Sequence, residues 1–216
     1  MTVALDTDGA DAARPFVEAA TPEHPTLLDA AHVTDELFGF VNVPNGVWID
    51  EEGTLVRPAE PAHPGPSPLR ESIASLDLSS LPPLLADVLA ETRRIRTAPE
   101  EYVAALRDWV EHGAGSRFAL PPDEVVRRSQ PRPSGVAEAA AHFELGQHLH
   151  RTGHPDAAVG HFREAHRLQP DNWTYRRQAW HFVAPGLQGP NDVYEGNWLS
   201  DIREIGAENY YPPFVP

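Results

Sequence analysis

The sequence predicts a mixed α/β section at the N-terminus followed by an all-α helical region. Three observations predict it. Short apolar runs alternate with helix-period apolar positions over residues 2–57, prolines crowd the stretch 58–83, and a long Ala- and His-rich helical pattern lies between 134 and 183.

Thr2 to Asp6 is a short apolar run that reads as a strand, and Ala13, Phe16, Val17 and Ala20 then repeat at i, i+3, i+4, i+7, as an amphipathic helix requires. Pro25 to Asp29 predicts a second strand. Val33, Leu37 and Phe40 mark a second helix, and Val47 to Ile49 a third strand. Asp50-Glu-Glu-Gly53 turns the chain back into Thr54-Leu-Val56, which makes a hairpin. The division that follows is 1–58, a Pro-rich linker 59–83, a helical segment 84–128, helices over 134–183 and an aromatic, Pro-rich extension 184–216. In the helical segment, Leu84, Leu85, Val88 and Leu89 suggest one helix. A second begins near Thr97, where Thr97 and Glu100 have capping-box spacing, with Tyr102, Val103, Leu106, Trp109 and Val110 as its apolar face and Gly113 and Gly115 as its stop. Ser129 to Gly135 is a second Pro-rich spacer, and the tail from Tyr194 to Phe214 is expected to pack back over a groove.

Residues 139–170 contain Leu145-Gly146, Gly153, Ala158, Phe162, Ala165 and Pro170. This resembles a tetratricopeptide repeat, a helix pair of about 34 residues. Gly146 and Ala158 would let two antiparallel helices approach, Leu149 and Phe162 would fill the seam, and His142 stands where the family has a large aromatic. One repeat cannot bury its own faces, so it must lean on the rest of the chain or on a partner, with a helix around Trp173 to Phe182 as its expected cap. A groove lined by Asn172, Trp173, Arg176 and Trp180 is the expected peptide-binding surface.

Residues 2–57, with His24-Pro-Thr-Leu-Leu-Asp29, Val43-Pro44 and Val47-Trp-Ile-Asp50, resemble the second half of a thioredoxin-like domain of the thiol-disulfide oxidoreductase and thiol-specific antioxidant type. The resemblance implies a partial thioredoxin-like fold, a cis Val43–Pro44 bond, and a loop of Val43, Pro44 and Asn45 facing a reactive dithiol. The family's Cys-x-x-Cys strand and helix have no counterpart here. The half-domain therefore calls for a strand from elsewhere, a rearranged sheet or a disordered first strand. A chain start placed downstream of the dithiol segment, completion by a second copy in a homodimer, and a relic that now works by binding all stay open.

Composition narrows the chemistry. Acidic residues outnumber basic ones 32 to 17, a formal charge of −15, which disfavours nucleic acid. All basic residues are Arg, and the chain is Lys-free and Cys-free, so Schiff-base, P-loop, thiolate and disulfide chemistry are excluded within it. With no signal-like N-terminus and no long apolar run, a cytoplasmic protein off the membrane is expected. Six of eleven histidines fall between His142 and His166, yet no His-Glu-x-x-His or Glu-x-x-His occurs within that helix pair, so no metal and no cofactor is predicted. Asp50-Glu51-Glu52 reads as a solvated hairpin tip, no Gly-x-Ser-x-Gly occurs, and Arg93-Arg94, Arg127-Arg128 and Arg176-Arg177 are expected to pair internally. The expected function is a redox-inactive protein-interaction scaffold with no catalytic residue of its own. The alternative is a cytoplasmic thiol-disulfide or peroxide-reducing antioxidant protein whose dithiol lies outside this chain.

Overall fold

The computed structural model describes residues 1–65, 67–129, 133–186, 188–189 and 191–216. Pro66 of the first Pro-rich stretch and residues 130–132 of the second lie outside them. The described chain is mostly helical, with its strands confined to residues 2–61, and it divides into two units, Met1–Val41 with Arg132–Gly186 and Asn42–Pro131 with Leu187–Pro216. That division cuts the section read as 1–58 after Val41.

In the first unit, β1 (Thr2–Leu5) and β2 (Thr26–Asp29) form a two-stranded parallel sheet, Val3 opposite Leu27 and Ala4 opposite Leu28. The crossover between them is α1 (Ala10–Ala20), as parallel pairing demands. α2 (Val33–Phe38) has no side-chain cap at its first position. Asp29 serves instead, accepting from the amides of Val33 at 3.0 Å and Thr34 at 2.7 Å and from the Thr34 hydroxyl at 2.6 Å. Burial pushes the Asp29 carboxyl up, but these bonds outweigh it and leave it below the ordinary carboxylate value.

The first unit continues in the helices α7 (Ser134–Arg151), α8 (Pro155–Leu168) and α9 (Trp173–Val183). α7 and α8 are joined through Gly153, whose φ of +86° suits glycine. Their seam is tight. Phe162, Ala158 and Ala165 are buried, and a Cβ on Gly146 would lie 2.8 Å from the Phe162 ring. Leu149, expected in the seam beside Phe162, is half-buried, and Leu145 is exposed. The hairpin leans on its own chain: Phe143 stacks on Tyr175 at 4.1 Å and meets His32 edge-on at 5.6 Å, while the Trp173 amide donates to the Val41 carbonyl at 2.7 Å.

The second unit opens with the antiparallel hairpin of β3 (Asn45–Ile49) and β4 (Leu55–Pro61). Its tip is closed by Asp50, which accepts from the Thr54 amide at 2.7 Å. The strand therefore continues through Pro58 and Pro61 into the stretch read as linker. That stretch also holds α3 (Pro68–Ser75), capped by Ser67. α4 (Pro83–Arg94) leaves Leu84 and Leu85 exposed and buries Glu91 instead.

α5 (Pro99–His112) starts at Pro99 after an Ala98 cap, so the Thr97–Glu100 capping box does not form: proline presets φ for a first helical turn and needs no N–H there. Its Tyr102 packs on Trp48, but Val110 is 76% exposed and outside the apolar face. α6 (Pro122–Arg128) and α10 (Trp198–Ile205) complete the unit. α10 buries Trp198 and Ile202 and is capped by Asn197, which accepts from the Ser200 amide at 3.0 Å. No described helix is long and apolar enough to cross a membrane.

Candidate functional site

In the second unit the Val43–Pro44 bond is cis, Pro44 is exposed, and the Val43 carbonyl accepts from the Tyr211 hydroxyl at 2.7 Å. Asn42 is buried and holds the loop through its Oδ1, which accepts from the Val43 amide at 2.9 Å. Asn45 enters β3 at once, and Ala62 donates to the Pro44 carbonyl at 3.2 Å. The tail of Tyr210 to Val215 therefore lies on the loop and hairpin.

The same tail closes over Arg57, which is wholly buried. Its guanidinium donates to both Glu60 carboxylate oxygens at 2.9 and 2.8 Å, to the Phe118 carbonyl at 2.9 Å and to the Val215 carbonyl at 2.6 Å. It also sits over the rings of Trp48 and Phe214. Every contact is structural, and none faces open solvent as a ligand-binding arginine would. Elsewhere in this unit Ser116 donates to Asp108 at 2.5 Å, and His112 lies 3.6 Å from the other oxygen of the same carboxylate. A nucleophilic serine needs the imidazole next to its hydroxyl, and here the carboxylate stands between them, so the trio lacks the geometry for acyl transfer.

Asn172, Trp173 and Trp180 are buried in the first unit, not arrayed on an open groove. Asn172 caps α9, accepting from the Tyr175 amide at 3.1 Å, and donates to the Phe40 carbonyl at 3.4 Å. Arg176 lies over the Trp173 ring at 5.7 Å. An Asn-Trp start to a helix after a proline is as much a cap and core anchor as a ligand platform, and here the anchor role wins. Of the arginine pairs, Arg94 meets Glu91 and Glu208, and Arg127 and Arg128 both meet Glu124, as internal pairing predicts.

What stands open is the small sheet. Parallel sheets are ordinarily covered on both faces. On β1–β2, Val3 and Leu27 share one face, with Leu27 50% exposed, and Leu28 on the other is 39% exposed. Each strand has a single strand partner among the described residues, so each keeps an unpaired edge. Nearby in sequence, Phe16 is 78% exposed, and Val33 and Leu37 are exposed too. Helical period placed Phe16 and Leu37 on apolar faces; a count of the strands available to cover them would have been the signal of their exposure.

The histidines separate into roles. Burial pushes His32 down to about 4 against the weaker pull of Asp29, and burial likewise pushes His166 to about 4 although the Tyr175 carbonyl opposes it. His150 stacks on Phe182 at 3.9 Å. His142 of α7 and His161 of α8 face each other, Nδ1 to Nδ1 at 2.9 Å. No group of three or more metal-ligating side chains occurs among the described residues. Comparisons with family models, with curated proteins and with solved structures found no match to this chain.

Proposed function

We propose that this chain is a cysteine-free protein-binding module, thioredoxin-like over residues 2–57 and tetratricopeptide-like over 139–170, with no redox step of its own. The supporting observation is the β1–β2 sheet, parallel yet exposed on both faces and unpaired along its edges. Unpaired edge amides and carbonyls favour the addition of an extended segment, whose alternate apolar side chains would lie beside Val3 and Leu27 or beside Leu28. The binding role expected of Asn172, Trp173, Arg176 and Trp180 passes to this sheet, because three of the four are core.

The same edge favours a second reading, in which the added strand carries a Cys-x-x-Cys and the complex is a thiol-disulfide or peroxide-reducing enzyme. Isolation of the native complex from its host, with the bound protein identified and the complex assayed for insulin reduction, separates the two. A bound protein without cysteine-dependent reduction, lost on Leu27→Asp, is the expected result. Reduction by the complex would transfer the assignment to the enzyme, and a bound protein retained by Leu27→Asp would remove the sheet from the reading.

A further inference from the structure

In the first unit the imidazoles of His142 and His161 face each other with two ligating nitrogens at a separation that suits coordination. The two rings come from different helices, and their Nδ1 atoms are 2.9 Å apart with ring centroids at 5.1 Å. Two imidazole nitrogens bound at about 2.0–2.1 Å to one ion, with about a right angle between the bonds, are themselves about 2.9 Å apart. Right-angled nitrogen pairs are the preference of Ni²⁺ and Cu²⁺, whereas the wider tetrahedral angle of Zn²⁺ requires a longer separation.

Three further features fit. The residues that follow these histidines, Phe143 and Phe162, are buried and pack edge to face at 5.7 Å, so the backbone beneath both rings is fixed before any ion arrives. Both rings are only half-buried, which leaves room for water on the remaining coordination positions. The whole chain carries a formal −15, so the surroundings favour a cation.

We propose that His142 and His161 form an interhelical two-ligand site for a divalent first-row transition ion, Ni²⁺ fitting best, with water completing the coordination. Without the ion, one ring donates its Nδ1 proton to the other. On binding, both Nδ1 lone pairs turn to the metal, and the ring that was donor carries its proton on Nε2 instead, so no proton leaves the pair. The ion then joins α7 to α8 and stabilises the folded hairpin by mass action.

The test is Ni²⁺ titration of the tag-free full chain, read by calorimetry and by the histidine ring signals in proton NMR. One ion per chain is expected, with the His142 and His161 ring protons the first to broaden at substoichiometric Ni²⁺. Removing a group that merely orients a metal ligand costs about 10–100-fold in affinity, so His142→Gln and His161→Gln should each weaken binding at least about tenfold. His148→Ala, on an exposed position of α7, should leave binding unchanged. Broadening that begins at other histidines, or the absence of one-to-one binding, would overturn the site, and these readouts on the unmutated chain hold whether or not the variants fold.

Discussion

Arg57 and Glu60, three residues apart on β4, grip each other through two hydrogen bonds on one face of the hairpin. In a regular strand such positions point to opposite faces. Here Trp48 pairs with Arg57 and Gly46 with Glu60, so three steps on β4 oppose two on β3, and the extra residue brings both side chains to the same side.

Loss of this arginine should be severe. Breaking a buried ion pair typically costs about 3–5 kcal/mol, and Arg57→Ala also strips the Phe118 and Val215 carbonyls of their donor. Arg57→Lys should recover little, since one ammonium cannot fork to Glu60 and reach both carbonyls. The double change Arg57→Met with Glu60→Gln removes the unpaired charge but still leaves the carbonyls unsatisfied, so it should fall between wild type and Arg57→Ala. Urea denaturation followed by tryptophan fluorescence measures all three, and a wild-type midpoint for Arg57→Lys would refute the account.

Two glycines of one helical hairpin should respond in opposite directions to the same substitution. Gly160 has open space where a Cβ would go, so Gly160→Ala should stabilise by about 0.5–1 kcal/mol through helix propensity. At Gly146 the added methyl meets the wholly buried Phe162 ring, and overpacking of about 1–3 kcal/mol should exceed that gain. Thermal denaturation of the two single variants checks the signs, and Gly146→Ala combined with Phe162→Leu should cost less than the two single effects summed.

Stability should decline on mild acidification. Unfolded imidazoles titrate near about 6.5, whereas folded His32 and His166 titrate near about 4. Between those values the unfolded chain holds more protons, so the stability present above about 6.5 is lost as pH falls toward about 4, by up to a few kcal/mol for each ring. Urea midpoints at neutral pH and near pH 4.5 measure it. His32→Gln and His166→Gln should each flatten the dependence, whatever they do to stability at neutral pH; an unchanged slope in both would rule these two histidines out.

Tyr102→Phe tests the core of the second unit. The Trp48 indole donates to the Tyr102 hydroxyl at 3.1 Å. Removing the acceptor leaves a buried N–H without its partner, a cost of about 1–3 kcal/mol. A shifted Trp emission together with a lower unfolding midpoint is expected, and an unshifted midpoint would show that the bond adds no net stability.

Local pattern made the β1–α1–β2–α2 order and the β3–β4 turn legible, because their signals lie within a few adjacent residues. Proline misled in one consistent way. Pro68, Pro83, Pro99, Pro122 and Pro155 all stand in first helical turns, where they start helices rather than break them, so α3 and α6 went unread and α5 received the wrong cap. α10 was missed because a Trp and an Ile four residues apart in a Pro-rich tail make too short a stripe to register. Burial was the least legible property. Phe16, Leu84 and Val110 satisfy helical period yet remain exposed, while Glu91 and Arg57 are buried, since the partner surfaces that decide come from distant sequence. The candidate site suffered the same way: Trp173 and Trp180 have the chemistry of a binding platform, and only their burial, with the Phe40 and Val41 carbonyls bonded to Asn172 and Trp173, shows them to be an anchor.

The first unit is assembled from Met1–Val41 and Arg132–Gly186, with most of the second unit encoded between them. On the ribosome this imposes a delay. At about 5–20 residues per second the opening segment waits roughly seven to thirty seconds for α9 to emerge. During that interval β1 and β2 stand without the later helices that complete their unit, so the nascent chain is most open to capture, by a chaperone or by a strand that belongs elsewhere, before its own C-terminal half exists.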